Sequence, residues 1–405
     1  EHVARGFFET EQEIIRSGRP MLDMEELIRD STGRLKWLLT SKLPVRNGEG
    51  EVIGLVGVAR DITERKRSES LHVGQAHLLK MIVLGAPLTE VFSSLILLIE
   101  AHVPDVLGSV LMLAHDGKRM LSGAAPNLDP GYCKLIDGLE IGPKVGSCGT
   151  AMWRGEPVIV SDIQTDPLWE DFKALVAPYG FRACWSSPIR SYQGKVLGSF
   201  ALYSRSSGEP TAECMKLVGM ATHIAGIAIE RKEAEDSIQF MAHHDTLTGL
   251  PNRSMLDERV ASAIEAADER GGSMTLAFLD LDNFKLVNDS LGHHAGDALL
   301  KIVAARMQQC VRASDSIVRL GGDEFVVLIN GAMRKGESVE DRLRAVREAV
   351  AEPVLIEGRS FQITCSMGVA AYPEHGRNAT ELMARADAAM YRAKEIGRDA
   401  MQVFT

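Results

Sequence analysis

The chain has 405 residues, more than one ordinary core accommodates, and its length points to about three domains. With 45% hydrophobic and 25% charged residues, it has the balance of a soluble globular protein. A formal net charge of −10 leaves no basic surface for a phosphate backbone, which excludes a general binder of nucleic-acid polymers.

No apolar run reaches membrane-spanning length, residues 91–99 being the greasiest and far too short, and no signal peptide is visible. No membrane segment is therefore expected. The chain opens on Glu1 rather than Met, as expected of a trimmed piece, from either end of which an anchor or a further domain could have been cut away. The six cysteines (Cys133, Cys148, Cys184, Cys214, Cys310, Cys365) are scattered without a CxxC pair. That is the pattern of a reducing compartment, neither a disulfide frame nor a zinc site, and the expected location is cytoplasmic.

Residues 1–63 read mostly as strands, with apolar-rich runs at 35–43 and 52–59 separated by the Asn47-Gly48-Glu49-Gly50 turn. Residues 64–70 are highly charged and mark a helical linker. Trp37 in its strand, the strand at 54–58 and the closing Asp61-Ile62-Thr63 before Glu64-Arg65 resemble the back half of a PAS domain, placed at 1–67. The part that helps form the ligand pocket in that family is missing, so no cofactor is expected there.

Residues 71–231 run helix, strands, loop, strands, helix. The stretch 78–102 reads as mainly helical, 108–114 and 118–124 as a hairpin over Asp116-Gly117, 156–161 and 196–203 as strands, and 212–229 as a closing helix. Gly146-Ser147-Cys148-Gly149-Thr150-Ala151, Asp166-Pro167-Leu168-Trp169 and Cys184-Trp185-Ser186-Ser187-Pro188-Ile189 make 68–232 resemble a GAF domain. The pattern identifies a fold and leaves the GAF ligand unknown; haem finds no identifiable axial His. Cys148 and Cys184 read either as small buried hydrophobes or as redox- or cofactor-active thiols. Beyond this domain Ile224, Arg231 and Ile238 recur at seven, as do Ile227, Ala234 and Met241, the spacing of a short coiled-coil seam or of a solvated connecting helix.

From residue 233 to 405 strands and helices alternate around one sheet. A buried strand at 274–281 ends in acids, and 296–311 is an amphipathic helix with Leu299, Leu300, Val303 and Met307 on one face. Residues 317–329 fold back around Gly321-Gly322, 360–371 form another strand, and Asn378-Ala379-Thr380-Glu381 caps a helix running to 394. Asp280 at a strand end and Asp323 at the glycine turn can converge on one hard cation. Strand alternation is expected to aim Glu324 away from Asp323. The glycines permit close approach of a nucleotide.

Arg319-Leu320-Gly321-Gly322-Asp323-Glu324-Phe325 carries the signature of GGDEF diguanylate cyclases, and four further blocks resemble that family in order. They are Asp245 to Arg253, Phe278 to Lys285, Gly292 to Asp297 and Tyr391 to Arg398. The resemblance implies an α+β multidomain chain whose last domain has a mainly antiparallel sheet flanked by helices. It implies synthesis of cyclic di-GMP from two GTP, with Mg²⁺ (or Mn²⁺ in its place) on Asp280, the Leu281 carbonyl and Asp323. Lys285, Lys394, Arg398 and the Phe284 amide then meet the phosphates across Gly321 and Gly322. Asn288 and Asp297 meet the guanine edge, and Glu324 assists deprotonation of the 3′-OH. Each domain holds one GTP, so the resemblance implies a homodimer. Arg312-Ala313-Ser314-Asp315 resembles the RxxD inhibitory site for the cyclic di-GMP product, with Arg344 or Arg347 as its second arginine.

Two readings compete with the enzyme: a silent domain that binds GTP or cyclic di-GMP as a receptor, and a regulator of a phosphodiesterase domain beyond Thr405. Residues 331–338 imitate a P-loop, but Glu337 stands where its lysine belongs. His243-His244 and His293-His294 lack the spacing of a helical metal pair and are read as solvated or structural.

Overall fold

The structure, a computed structural model, describes residues 2–30, 33–331, 338–356 and 358–405. The P-loop-like stretch thus lies almost wholly outside the described residues. Two compact units divide the chain, Glu1–Glu233 and Ala234–Thr405.

The first unit opens on helix α1 (His2–Ser17), where strands were expected. Glu9, Glu11, Gln12, Glu13 and Arg16 are good helix formers, and Glu11 pairs with Lys42 at 2.7 Å, tying the helix to the sheet. Strands β1 (Met21–Arg29), β2 (Leu35–Arg46) and β3 (Val52–Asp61) form an antiparallel sheet in that order. The charged linker continues well past its expected end as α2 (Thr63–Val83). Gly85, at a left-handed φ of 76°, and Pro87 interrupt the helix before α3 (Leu88–His102), so the helical stretch is two helices.

The rest of this unit is built on β4 (Val106–Leu113), β5 (Met120–Ala124), α4 (Pro130–Ile136), α5 (Gly146–Arg154), β6 (Val158–Val160), α6 (Lys173–Val176), β7 (Ala183–Arg190), β8 (Val196–Ser204) and α7 (Ala212–His243). The antiparallel sheet runs β5-β4-β8-β7-β6. Strand alternation gives it two cores. Val110, Phe200 and Leu202 pack with Phe92, Leu95, Ile99, Val218 and Ile224 from α3 and α7. Leu111, Ala201 and Tyr203 pack with Tyr132, Cys148 and Met152 from α4 and α5. By length and composition α7 is apolar enough to cross a membrane, contrary to the reading of the apolar runs. Its apolar side, Cys214, Val218, Ala221, Ile224 and Ala225 among others, is buried in this core, which accounts for the apolarity.

The second unit comprises α8 (Leu256–Glu269), β9 (Met274–Leu281), α9 (Phe284–Leu291), α10 (His293–Cys310), β10 (Ser316–Gly321), β11 (Glu324–Asn330), α11 (Val339–Ala351), β12 (Val354–Ile356), β13 (Arg359–Phe361), β14 (Cys365–Tyr372), α12 (Ala379–Ile396) and β15 (Met401–Val403). Its sheet runs β10-β11-β9-β14-β15, antiparallel except for β14 with β15. Along β9, Ala277 and Leu279 face α10 and α11, while Leu276 and Phe278 face α8 and α12. The expected strand at 360–371 is two strands. Ile363 turns into the core between them, and the Thr364 carbonyl accepts from the Asp282 amide at 2.8 Å.

Candidate active site

Asp280 follows Phe278 on the α12 side of β9 by alternation, and Glu324 is its cross-strand partner on β11. Asp323 lies in the turn rather than in a strand, so alternation does not carry Glu324 away from it. Its carbonyl accepts from the Leu281 amide at 3.2 Å, which seats the turn on the end of β9. Lys394, in the last turn of α12, meets Asp280 at 2.7 Å. Three carboxylates and one ammonium thus gather where two central strands end.

The electrostatics register the crowding. Burial pushes the Asp280 carboxyl up, with repulsion from Asp323 and Asp282 adding to it and Lys394 opposing. Glu324 is also raised, by burial first and then by Asp280, Asp323 and Asp387. Gly321 and Gly322 take φ of 146° and 54°, and a side chain at either would meet no neighbour, so the space above the turn is open. Among the described residues no group of three or more His, Cys, Asp or Glu is arranged to hold a metal by itself.

The other expected nucleotide contacts lie on α9, α10 and the loop after α12. Asn283 breaks the chain at a left-handed φ of 60°, so α9 starts directly after β9 with Phe284 at its N-terminus and Lys285 exposed. The Asn288 side chain lies against Gly296, where a Cβ would collide with Oδ1. That oxygen is buried without a partner, and Asp297 follows exposed on α10. Arg398 is exposed in a loop whose next amide, that of Asp399, donates to Asp282 at 3.0 Å.

A family model for the diguanylate cyclase GGDEF domain matches residues 242–400, one for the GAF domain 87–229, and one for the PAS fold 6–67. The C-terminal unit is a GGDEF domain. The chain carries GAF and PAS domains ahead of it. The diguanylate cyclase DgcP of Pseudomonas aeruginosa is 44% identical over 161 residues, 39% of this chain and 23% of that protein. The cyclic di-GMP phosphodiesterase NbdA of the same organism is 38% identical over 274 residues, 68% of this chain and 33% of that protein. The chain thus spans a third or less of the length of these relatives. A solved structure of a sensory box/GGDEF family protein from Caulobacter crescentus is 44% identical; the match covers 38% of this chain and 100% of that one, with a TM-score of 0.37.

Three residues of the GGDEF domain do structural work that the motif pattern did not assign. Arg319 reaches Asp245 at 2.7 Å through Nη1, and its Nε and Nη2 donate to the Gly322 carbonyl at 3.1 and 2.7 Å. Asp245 also accepts from the Thr248 amide and hydroxyl, so the opening motif braces the glycine turn. Burial pushes the Asp245 carboxyl up, but Thr248 and Arg319 outweigh it and leave it below the ordinary range. Asp282 is buried, accepting from Thr364 and Ser366 hydroxyls at 2.7 Å each. Acids in a motif can be recognised from sequence; which of them point inward cannot.

Arg312 and Asp315 precede β10, at the end of that strand away from the turn and about 20 Å from it by strand rise. The Asp315 carboxylate is fully enclosed, accepting from Arg342 at 2.7 Å, the Arg312 amide at 3.0 Å and the Asn330 amide at 3.2 Å. Arg344 pairs with Asp341 at 3.4 Å, and Arg347 donates to the Asp399 carbonyl at 3.2 Å.

Proposed function

We propose that the chain is a diguanylate cyclase of the cytoplasm, joining two GTP into cyclic di-GMP with release of pyrophosphate. The carrying observation is the convergence of Asp280, Asp323 and Glu324 beside Lys394 under an open glycine turn. An all-oxygen donor set of crowded carboxylates fits Mg²⁺, which takes one or two carboxylates and completes its shell with phosphate and water. Asp280, Asp323 and the Leu281 carbonyl are the residues that would hold it. When bound, it would neutralise phosphate charge and acidify the attacking hydroxyl.

The chain's own groups supply the rest. Glu324, held above the ordinary range, is suited to accept the 3′-OH proton as the oxygen attacks the α-phosphorus and pyrophosphate leaves. Lys285, Lys394, Arg398 and the Phe284 amide at the start of α9 receive phosphate charge. Asp297 accepts from the N1–H and N2–H₂ edge of guanine, and the unpartnered Asn288 oxygen supplies a further acceptor there. One domain holds one GTP, so closing the ring takes two copies face to face. Product returns to Arg312, while Asp315, enclosed by Arg342, acts by shaping the turn that presents it.

The test is incubation with GTP and Mg²⁺ followed by mass spectrometry of the products. Cyclic di-GMP is expected from the parent chain, none from Asp323→Ala, and a longer linear phase from Arg312→Ala. No product from either the parent or Arg312→Ala would overturn the reading. It would favour the receptor role, which the likeness to a phosphodiesterase keeps as the second reading.

A further inference from the structure

Away from the cyclase site, two thiols share one buried locus in the GAF domain. Cys148 is the third residue of α5 and Cys184 the second of β7, at 7% and 0% exposure. Cys148 Sγ lies 3.5 Å from the Tyr203 hydroxyl, which accepts from Ser109 at 3.4 Å. The hydroxyls of Ser186 on β7 and Ser199 on β8 border the same sulfur and are buried with no other partner. Ser147 Oγ donates to the Cys184 carbonyl at 3.0 Å and accepts from Trp169 Nε1 at 3.1 Å, which fixes α5 against β7. Cys148 also lines a cavity of about 70 Å³ walled by Leu111, Met120, Tyr132 and Phe172, room for a small molecule.

These surroundings treat the two thiols differently. Hydrogen bonding from Cys184, joined by Tyr203, Ser186 and Ser199, outweighs burial and lowers the Cys148 thiol below the ordinary range. Burial, with Cys148 beside it, pushes Cys184 well up. The N-terminal amides of α5 favour a Cys148 thiolate as well. An attacking thiolate beside a protonated thiol is the asymmetry that a nucleophile and its resolving partner require.

We propose that Cys148 and Cys184 are an oxidation site of the GAF domain, taking a small alkyl hydroperoxide through the apolar cavity and closing to a disulfide. The Cys148 sulfur attacks the terminal peroxide oxygen and the O–O bond breaks. The sulfur becomes a sulfenic acid, and the alkoxide leaves as the alcohol after taking a proton. The Cys184 sulfur then attacks the Cys148 sulfur, the S–O bond breaks, and hydroxide leaves as water with the Cys184 proton. In sum, two thiols and a hydroperoxide give a disulfide, an alcohol and water.

The experiment treats the reduced full chain with tert-butyl hydroperoxide or hydrogen peroxide, alkylates the remaining thiols, and maps peptides by mass spectrometry. A Cys148–Cys184 disulfide is expected, formed about tenfold faster than oxidation of the more exposed Cys310 on the same chain. The alkyl hydroperoxide should outpace hydrogen peroxide. Tryptophan emission should change in step, since Trp169 bonds Ser147 and Trp185 follows Cys184. Cys184→Ser should stop at a sulfenic acid on Cys148 that dimedone traps, and Cys148→Ser should yield neither product. Cys148→Ala and a circular-dichroism melt guard against misfolding. Intact Cys148 and Cys184 thiols, faster reaction at Cys310, equal rates with the two peroxides, or the same product from both serine variants would each overturn the proposal.

Discussion

Asp280 and Glu324 face each other across β9 and β11 with Asp323 beside them, and the fold bears the cost of that crowding. A carboxyl whose folded pKa is raised above its unfolded value is penalised in its ionised form. The penalty is full above the folded pKa and vanishes once pH falls below the unfolded value, about 4.3 for Glu. Glu324→Gln should therefore raise the melting temperature of the GGDEF domain at pH 7.5 without metal and leave it unchanged near pH 4. Turnover should fall by about 10² to 10⁴ if Glu324 takes the proton. Calorimetry at the two pH values and product assays check this, and an equal thermal shift at both would refute the electrostatic account. Asp282 is a different kind of acid. Asp282→Ala strands two hydroxyls and the Asp399 amide, costing about 1–3 kcal/mol, and releases the loop that carries Arg398. KM for GTP should then rise more than kcat falls; a fall in kcat at unchanged KM would mean that Asp282 acts in the chemistry itself.

The glycine turn is held from one side by Arg319, whose planar fork spans Asp245 and the Gly322 carbonyl at once. Lysine keeps the charge but not the fork, so Arg319→Lys should cost about 2 kcal/mol and slow turnover about tenfold, as melting and steady-state rates would show. Unchanged turnover in a destabilised variant would mean that the turn needs no brace. This contact, like the inward aim of Asp282, joins residues far apart in sequence, and no local pattern announces it. Elements were legible where one cause dominated. The run 274–281 is apolar on both faces and stops at acids, and its bounds match β9. The capping box also formed, with Asn378 accepting from the Glu381 amide at 2.9 Å, although Glu381 reaches back to the Arg377 backbone amide and the Asn378 side-chain amide rather than to the Asn378 backbone N–H. Strand β7 was hidden by Pro188. That proline is tolerated because β6 pairs only with Cys184 to Ser186, leaving the strand without a neighbour on that side where the amide is missing. The heptad reading failed at its first position, since Ile224 is spent on the GAF core.

What remains of the seam lies along the later part of α7, the helix through which the chain passes from the GAF to the GGDEF domain. Ile227, Ile238 and Met241 are 37%, 64% and 48% exposed at heptad spacing, with Ala234 between them. The end of that helix is fastened to the GGDEF domain. Asn252 Nδ2 donates to the Met241 and Ala242 carbonyls at 3.1 and 3.2 Å, and Ser254 Oγ to that of Ala242 at 2.7 Å. A second copy covering Ile238 and Met241 would set two GGDEF domains at a distance fixed by these caps. The cyclic di-GMP synthesis proposed above needs two such domains, because each of its two phosphodiester bonds would join nucleotides held by different copies. Ile238→Glu should accordingly cut activity per chain about tenfold at sub-micromolar protein and much less at tens of micromolar, because mass action restores the pair. Sedimentation run beside the assay should show monomer where activity is lost. Activity per chain of Ile238→Glu that stays level with the parent across that range, or a variant that is monomeric and fully active, would remove the seam from the mechanism.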